Sequence, residues 1–429
     1  MQNLINKINK KKSKVGVIGL GYVGLELLLC VNEANFEVFG FDINNSKIEK
    51  LKKNIPTINT ISKKRLIKIN KNNLFDIRDM DKIYDCDIII ICVPTPLTKK
   101  NTPNMTYVEN SLSSITKYLR PEQMIILEST VYPGATRDIF FNKIEKNKKL
   151  SIGKNFYLCF SPERISPGKD YDIKYTEITK VISGSSSKCV NVISCFYKKI
   201  FESVYLAKSL EDAEFTKLFE NCYRSVNIGL VNEMKMICDK LGLKIMDIID
   251  TAATKPFGFR PFSPGPGVGG HCIPIDPLFI SWIAKKNGVT SKFIDISTKT
   301  NFNITNWVLK KIKNKIKKKR AKLLFIGVAY KKDVDDCRES PAITMMEKLD
   351  KDKFIINYYD PYIKSINLNK KDIFSLDNLD FKKIKNYEAV IITTDHSKID
   401  YNLILKKSNI IFDTRGVYKS SNLAKVIHC

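Results

Sequence analysis

Apolar residues along this chain gather in short, nearly continuous runs, the pattern of strands buried on both faces of a parallel sheet. Lys14-Val-Gly-Val-Ile18, Glu37-Val-Phe-Gly-Phe-Asp42, Asp87-Ile-Ile-Ile-Ile-Cys-Val93 and Gln123-Met-Ile-Ile-Leu-Glu-Ser-Thr130 read as strands of a first sheet. Lys322-Leu-Leu-Phe-Ile-Gly-Val-Ala-Tyr330, Ala389-Val-Ile-Ile-Thr-Thr394 and Asn409-Ile-Ile-Phe-Asp-Thr-Arg415 repeat the pattern near the other end. Between the two sets the period becomes helical. Residues 209–241 carry few breakers and predict one long helix, suited to a spine joining two α/β domains and carrying a dimer contact. Val308, Ile312 and Ile316 recur at four-residue spacing and predict an amphipathic helix.

The pattern fits a chain of 429 residues, long enough for about three units at roughly 150 residues each. The expected organisation is an N-terminal domain over 1–208, a helical region over 209–309 and a C-terminal domain over 310–429. A hydrophobic content of 43% supplies a large core and excludes disordered and fibrous classes. The charge adds less than its size suggests. There are 72 Lys+Arg against 45 Asp+Glu, a net +27, but lysine and asparagine are dense along nearly the whole chain. Nine Lys/Arg lie between Lys310 and Lys322, with no interleaved aromatics and no nucleic-acid-binding signature. This reads as a solvated helix face rather than a polyanion site, and no nucleic-acid partner is expected.

The eleven cysteines include no CxxC pair, and His271, His396 and His428 are far apart in sequence, so neither a disulfide framework nor a metal site is expected. A reducing cytoplasm is the expected compartment. The basic stretch 7–14 before the apolar stretch 15–31 imitates a secretory leader. Glu26 and the regularly spaced glycines favour a strand, turn and helix, and membrane insertion is not expected.

Those glycines carry the first chemistry. Gly19-x-Gly21-x-x-Gly24 follows an apolar strand and opens a helix, and Asp42 ends the next strand 23 residues beyond Gly19. That context is what a dinucleotide-binding Rossmann turn requires. Gly19 permits the tight turn, Gly21 lets backbone approach a pyrophosphate, and Gly24 lets helix and strand pack closely. Gly19, Gly21, Tyr22, Val23 and Gly24 would therefore hold the phosphates. Asp42 would accept the adenosine ribose hydroxyls and repel a 2′-phosphate, which selects NAD. Thr95 and Thr130 follow later strands of the same sheet, where they either line the nicotinamide side or serve as turn and cap residues.

On the long helix Lys217 and Asn221 lie four apart and share a face, with Glu214 and Arg224 close to the same stripe. Residues 257–277 form a Gly/Pro-rich loop around Cys272, with Asp276 four residues on. A thiol in such a loop is a nucleophile candidate if a cation or backbone donors stabilise its thiolate. The C-terminal α/β unit lacks GxGxxG, so Lys331 and Arg415 at its strand ends would hold a different phosphate-bearing ligand.

Taken in order, these motifs resemble the UDP-glucose/GDP-mannose dehydrogenase family over nearly the whole length. The matching segments are the glycine turn, Val93-Pro-Thr-Pro96, Glu128-Ser-Thr130, Ser161-Pro-Glu-Arg164, Lys217 with Asn221, Gly269-Gly-His-Cys-Ile-Pro-Ile-Asp276, Tyr330-Lys-Lys-Asp333 and Arg338-Glu-Ser340. The resemblance implies two Rossmann-like doubly wound α/β domains joined by a long central helix and a helical dimerisation region, in a homodimer or higher homo-oligomer. It implies a four-electron oxidation of a sugar C6 hydroxyl to the acid with NAD, supplying surface-polysaccharide precursors. Cys272 would capture the aldehyde as a thiohemiacetal that is oxidised to a thioester. Lys217 and Asn221 would stabilise oxyanions, and Glu163 would serve as base. Asp276 and Thr130 would organise the water. Arg164, Arg224, Arg260, Gly269, Tyr330, Lys331 and Arg415 would join Glu163, Lys217 and Asn221 in holding the UDP-sugar, with Lys331 also counted among the cofactor contacts.

One departure bears on the substrate. UDP-glucose dehydrogenases resemble this chain at the Pro-Glu pair but carry a second glutamate where Pro167 stands, and an aromatic where Arg164 stands. Ser161-Pro-Glu-Arg164 with Pro167-Gly168, Pro94-Thr-Pro-Leu97 and the loop from Phe257-Gly-Phe to Pro264-Gly-Pro-Gly look more like enzymes oxidising UDP-N-acetylhexosamines. UDP-N-acetylglucosamine is the first expectation, followed by the galactosamine epimer, then UDP-N-acetylmannosamine and UDP-glucose. A two-electron β-hydroxyacid dehydrogenase would share the NAD domain and a helical lysine but would need no cysteine.

Overall fold

The computed structural model describes residues 1–59, 61–165, 173–380, 382–419 and 424–429. Pro167 and Gly168 lie outside the described residues. The chain divides into two compact units, Met1–Glu220 with Trp282–Asn287, and Asn221–Ser281 with Gly288–Cys429.

Among the described residues, the first unit holds an eight-stranded sheet: β1 (Lys14–Ile18), β2 (Glu37–Asp42), β3 (Leu74–Asp76), β4 (Ile88–Ile91), β5 (Met124–Leu127), β6 (Tyr157–Phe160), β7 (Lys180–Gly184) and β8 (Val204–Leu206). The order is β3-β2-β1-β4-β5-β6-β7-β8, parallel throughout except between β6 and β7. Its first six strands follow the dinucleotide-binding order, with the reversal of direction between β1 and β4. β4 and β5 are fully buried along their length, which is why they read as unbroken apolar runs. The leader-like stretch is β1 with the helix Tyr22–Glu33, whose Leu25, Leu27, Leu28 and Leu29 are all buried.

The second unit is built on a parallel five-stranded sheet. Its strands are β9 (Lys322–Ile326), β10 (Ile355–Tyr359), β13 (Ala389–Ile392), β14 (Ile411–Asp413) and β15 (Val426–His428). The order β10-β9-β13-β14-β15 is the other common doubly wound arrangement, while β11 (Ser365–Leu368) and β12 (Lys371–Phe374) form a separate antiparallel hairpin.

The long helix runs Leu210–Lys240. The amphipathic helix runs Lys292–Lys315, with Val308, Leu309 and Ile312 buried. Lysines at its end and just beyond form ion pairs, Lys311 with Asp239, Lys313 with Asp352 and Lys318 with Glu388. Among the described residues no helix is long and apolar enough to cross a membrane.

Candidate functional site

In the first unit the glycine turn is built as its spacing requires. Gly19 has φ +91°, and a side chain there would meet the Cys92 carbonyl at 2.7 Å. A Cβ on Gly24 would lie 1.9 Å from the Gly19 carbonyl oxygen, whereas one on Gly21 would meet nothing within 4 Å. The turn is thus closed on the sheet side and open where a pyrophosphate would approach. Gly21 is the N-cap of the helix, and no side chain caps it, which leaves that end suited to an anion. Among the described residues, therefore, the donor set fits a dinucleotide.

Asp42 is buried and already engaged. Oδ2 accepts from the Leu20 N–H (2.9 Å) and Lys47 Nζ (2.7 Å), and Oδ1 from the Asn44 N–H (2.9 Å). The acid therefore also anchors the glycine turn, and Lys47 offsets the charge that sequence alone credits with repelling a 2′-phosphate. Thr95 is buried just past β4, and Thr130 is half-buried just past β5. The turn after Thr130 is tied to the long helix by Glu214, whose carboxylate accepts from the Gly134 and Thr136 N–H groups. Burial, working against those two donors, pushes the Glu214 carboxyl up to about 7. Glu214 is a brace for this turn, a role its position on the Lys217 stripe did not announce.

Glu163 and Lys217 meet in the same unit. Lys217 Nζ stands 3.2 Å from Glu163 Oε2, both side chains being buried. Glu163 also accepts from the Ile165 N–H. Burial raises the Glu163 carboxyl above the ordinary carboxylate range, with Lys217 and Lys180 pulling it back. Arg164 turns to Glu220 (2.7 Å) and the Thr179 carbonyl (3.0 Å).

The second unit gathers another group. Asn221, one turn beyond Lys217 along the helix, donates to Asp276 and accepts from Arg224. The Asp276 N–H bonds the Cys272 carbonyl (2.8 Å), so the thiol-bearing residue closes the turn that opens the helix Asp276–Lys286. Burial first, then Asp336 and Cys272, raise the Tyr330 phenol to about 12, with Arg338 and Arg224 opposing. Gly269 and Gly270 lie against Tyr330, and a Cβ on Gly270 would fall 2.7 Å from its ring. Lys331 is half-buried beside it.

Arg415 donates from Nε to the Thr393 carbonyl (2.7 Å), with its guanidinium against Gly265. Arg260 lies on an exposed stretch of the loop.

Sequence reasoning missed what holds this loop. Asn232 Oδ1 accepts from the Gly265 N–H (3.0 Å), Lys235 Nζ donates to the Gly265 carbonyl (3.4 Å), and Thr305 Oγ1 donates to the Pro266 carbonyl (2.7 Å). It also missed Lys180, the first residue of β7, which is buried. Lys14 and Lys322 open strands in the same way, so no local signal marked it.

Three family models match the chain. They are the UDP-glucose/GDP-mannose dehydrogenase NAD binding domain at 13–201, the central domain at 211–303 and the UDP binding domain at 324–420. The chain is 34% identical to the UDP-N-acetyl-D-mannosamine dehydrogenase of Methanocaldococcus jannaschii, over 94% of this chain and 92% of that one. It is 30% identical to the UDP-N-acetyl-D-glucosamine 6-dehydrogenase of Pseudomonas aeruginosa, over 90% and 92%. The solved UDP-D-ManNAc dehydrogenase of Pyrococcus horikoshii superposes with a TM-score of 0.84 at 28% identity, covering 96% of this chain and 97% of that one. The chain belongs to the UDP-glucose/GDP-mannose dehydrogenase family and is an NAD-dependent oxidoreductase acting on nucleotide sugars.

Proposed function

We propose that this member of the family oxidises the C6 hydroxyl of a UDP-N-acetylhexosamine to the carboxylate, with UDP-N-acetylglucosamine as first candidate. The observation that carries the reading is the buried Glu163–Lys217 pair at 3.2 Å in the unit that bears the glycine turn. A carboxylate raised by burial and held beside an ammonium suits a general base. UDP-N-acetylmannosamine is the second reading, favoured by the 34% identity to the Methanocaldococcus jannaschii enzyme.

Gly19, Gly21, Tyr22, Val23, Gly24 and Asp42, with Thr95 and Thr130, would hold NAD, which would supply the hydride acceptor for each of two oxidations. The first turns the alcohol into an aldehyde, with loss of one hydride and with the hydroxyl proton passing to water. A free aldehyde is a poor hydride donor, so the Cys272 thiolate adds to it and forms a thiohemiacetal. Lys217 and Asn221 stabilise its oxyanion by charge-assisted donation. Loss of the second hydride gives a thioester on Cys272. Glu163 then takes a proton from water as that water attacks, the C–S bond breaks, and the acid leaves with the Cys272 thiolate restored. Asn221, fixed by Asp276, presents its amide in one orientation. Tyr330, Lys331 and Arg415 hold the UDP end. Arg224, Arg260 and Gly269 contact the sugar nucleotide, and the exposed Arg260 reaches the substrate of a second copy. Arg164 serves the acetamido carbonyl from its ion pair with Glu220.

The test is an NADH-release panel over UDP-glucose and the three UDP-N-acetylhexosamine epimers. Two NADH per sugar are expected, with the highest kcat/KM on an acetamido sugar. A fully active Cys272→Ser enzyme, or one NADH per sugar, would refute the thioester route.

A further inference from the structure

Behind the Glu163–Lys217 pair lies a second buried ion pair that the reaction steps above do not use. Lys180, the first residue of β7, places Nζ 2.8 Å from Glu128 Oε1, with side chains 3% and 0% exposed. The ammonium is boxed by the rings of Tyr175, Tyr197 and Phe201, whose centroids lie 5.8, 5.1 and 5.3 Å away. The Tyr197 hydroxyl donates to the same Glu128 oxygen. Glu128 Oε2 is buried with no hydrogen-bond partner among the described residues.

Burying two charges this deeply carries a large desolvation penalty, and well-packed apolar residues of similar volume often hold a fold as well or better. The location supplies a reason for the expense. Glu128 follows β5, Lys180 opens β7, and Glu163 follows β6, the strand between them. Ser161 ties the Glu163 segment to both neighbours, its N–H to the Leu127 carbonyl (3.0 Å) and its hydroxyl to the Val181 carbonyl (2.7 Å).

We propose that Lys180 and Glu128 are positioning residues for thioester hydrolysis, a fixed pair of opposite charges that sets the electrostatic environment in which Glu163 takes its proton. This rests on the reading of Glu163 as the base. The groups facing Glu163 come from every neighbouring element: Lys217 from the long helix, Lys180 from β7, Glu128 from the end of β5, Cys92 from the end of β4 and Tyr175 ahead of β7. Glu128 disfavours a second negative charge beside it, and Lys180 favours one. Loss of either member alone therefore displaces the ionisation of Glu163, in opposite directions.

The experiment is the pH dependence of kcat for NADH release by the full-length enzyme. Wild type should lose activity on the acid side as Glu163 takes up a proton. Glu128→Gln, near isosteric, should move that limb to lower pH by about one unit, the size expected when a neighbouring like charge is removed from a buried carboxylate. Lys180→Met should move it to higher pH, Lys180→Arg should leave it in place, and the double variant Lys180→Met/Glu128→Gln should return it towards wild type. A merely structural pair would lower the melting temperature or kcat without displacing the limb.

An unmoved limb in a folded Glu128→Gln enzyme overturns the proposal, and that variant decides alone if Lys180→Met does not fold. Glu163→Gln separates the two readings. A loss of kcat of roughly a hundredfold or more at every pH upholds the base, in the range of general-base contributions. Wild-type kcat with the limb intact in Glu163→Gln overturns base and pair together.

Discussion

Truncating Asn232 to alanine should loosen the cysteine loop without touching a reacting group. The Asn232 side chain is wholly buried and makes two bonds, Oδ1 accepting from the Gly265 N–H and Nδ2 donating to Asn301 Oδ1, each at 3.0 Å. Alanine strands both partners. Asn301 keeps its bond to the Ser225 carbonyl (2.8 Å), so the damage stays at Gly265 and at one Asn301 oxygen. Each stranded buried group costs about 1–3 kcal/mol. Water entering a polar cavity of that size would recover part of this. A net loss of roughly 2–4 kcal/mol follows, which for a unit of some 200 residues lowers its melting temperature by about 4–16 °C.

Function should fall further than stability accounts for. Gly265 lies seven residues before Cys272 and against the Arg415 guanidinium, so a free Gly265 N–H lets the loop shift relative to both. A displacement of about 1 Å is enough to lower kcat on the order of a hundredfold. The assay pairs a calorimetric melt with kcat measured well below the transition, where the variant is fully folded. An unchanged melting temperature with unchanged kcat would refute the reasoning, since it would mean the Gly265 N–H is satisfied without Asn232. A lower melting temperature with wild-type kcat would leave Asn232 a structural residue only.

Other outcomes follow from the same contacts. Gly24→Ala puts a methyl 1.9 Å from the Gly19 carbonyl oxygen, a backbone atom that cannot yield, so NADH titration followed by fluorescence should show binding lost. Gly270→Ala meets the Tyr330 ring at 2.7 Å from a residue with φ +81°; KM for the nucleotide sugar should rise about tenfold, roughly 1.4 kcal/mol, with NADH affinity unchanged. For Glu214, raised to about 7 in the folded chain, the folded state binds more protons than the unfolded one between the ordinary carboxylate range and pH 7. Stability should therefore fall as pH rises through that window, by up to about 1.4 kcal/mol per pH unit, and Glu214→Gln should flatten the slope in urea midpoints. Parallel slopes for wild type and variant would sink that assignment.

The strands were readable because they are buried on both faces. Ile88–Ile91 is apolar at every position, and no alternative packing hides the signal. The glycine turn was readable because its logic is local, with Gly19, Gly24 and Asp42 close in sequence and each restricted by backbone geometry. The supports of the site were not. Lys235 reaches the Thr414 carbonyl across 179 residues of sequence and Asn232 reaches Asn301 across 69, so neither has a pattern nearby to announce it. A lone polar residue on a helix reads as solvent-facing until the fold brings its partner. Asp42 shows the converse: its position pointed to the ribose, and Lys47 beside it became visible only as a contact.

The two sheets also explain each other. In each, a glycine with positive φ follows the first strand, Gly19 at +91° and Gly327 at +81°, and packs against a carbonyl just past the adjoining strand, that of Cys92 and that of Thr394. Each has an acid at the end of the second strand or just past it that accepts backbone N–H groups of the turn, Asp42 from Leu20 and Asp360 from Val328 and Ala329. There the likeness stops. Val328 and Ala329 follow Gly327, so backbone cannot be approached as it can at Gly21. Asp360 also accepts from the Tyr362 and Ile363 N–H groups. His396 completes the set: its Nδ1 accepts from the Asp333 N–H, which leaves the ring proton on Nε2 to be donated to Asp360 at 3.1 Å. A carboxylate so occupied has no acceptor left for a ribose. The turn after Gly327, pinned through Asp360, is a fixed mount for the chain that leads into Tyr330 and Lys331.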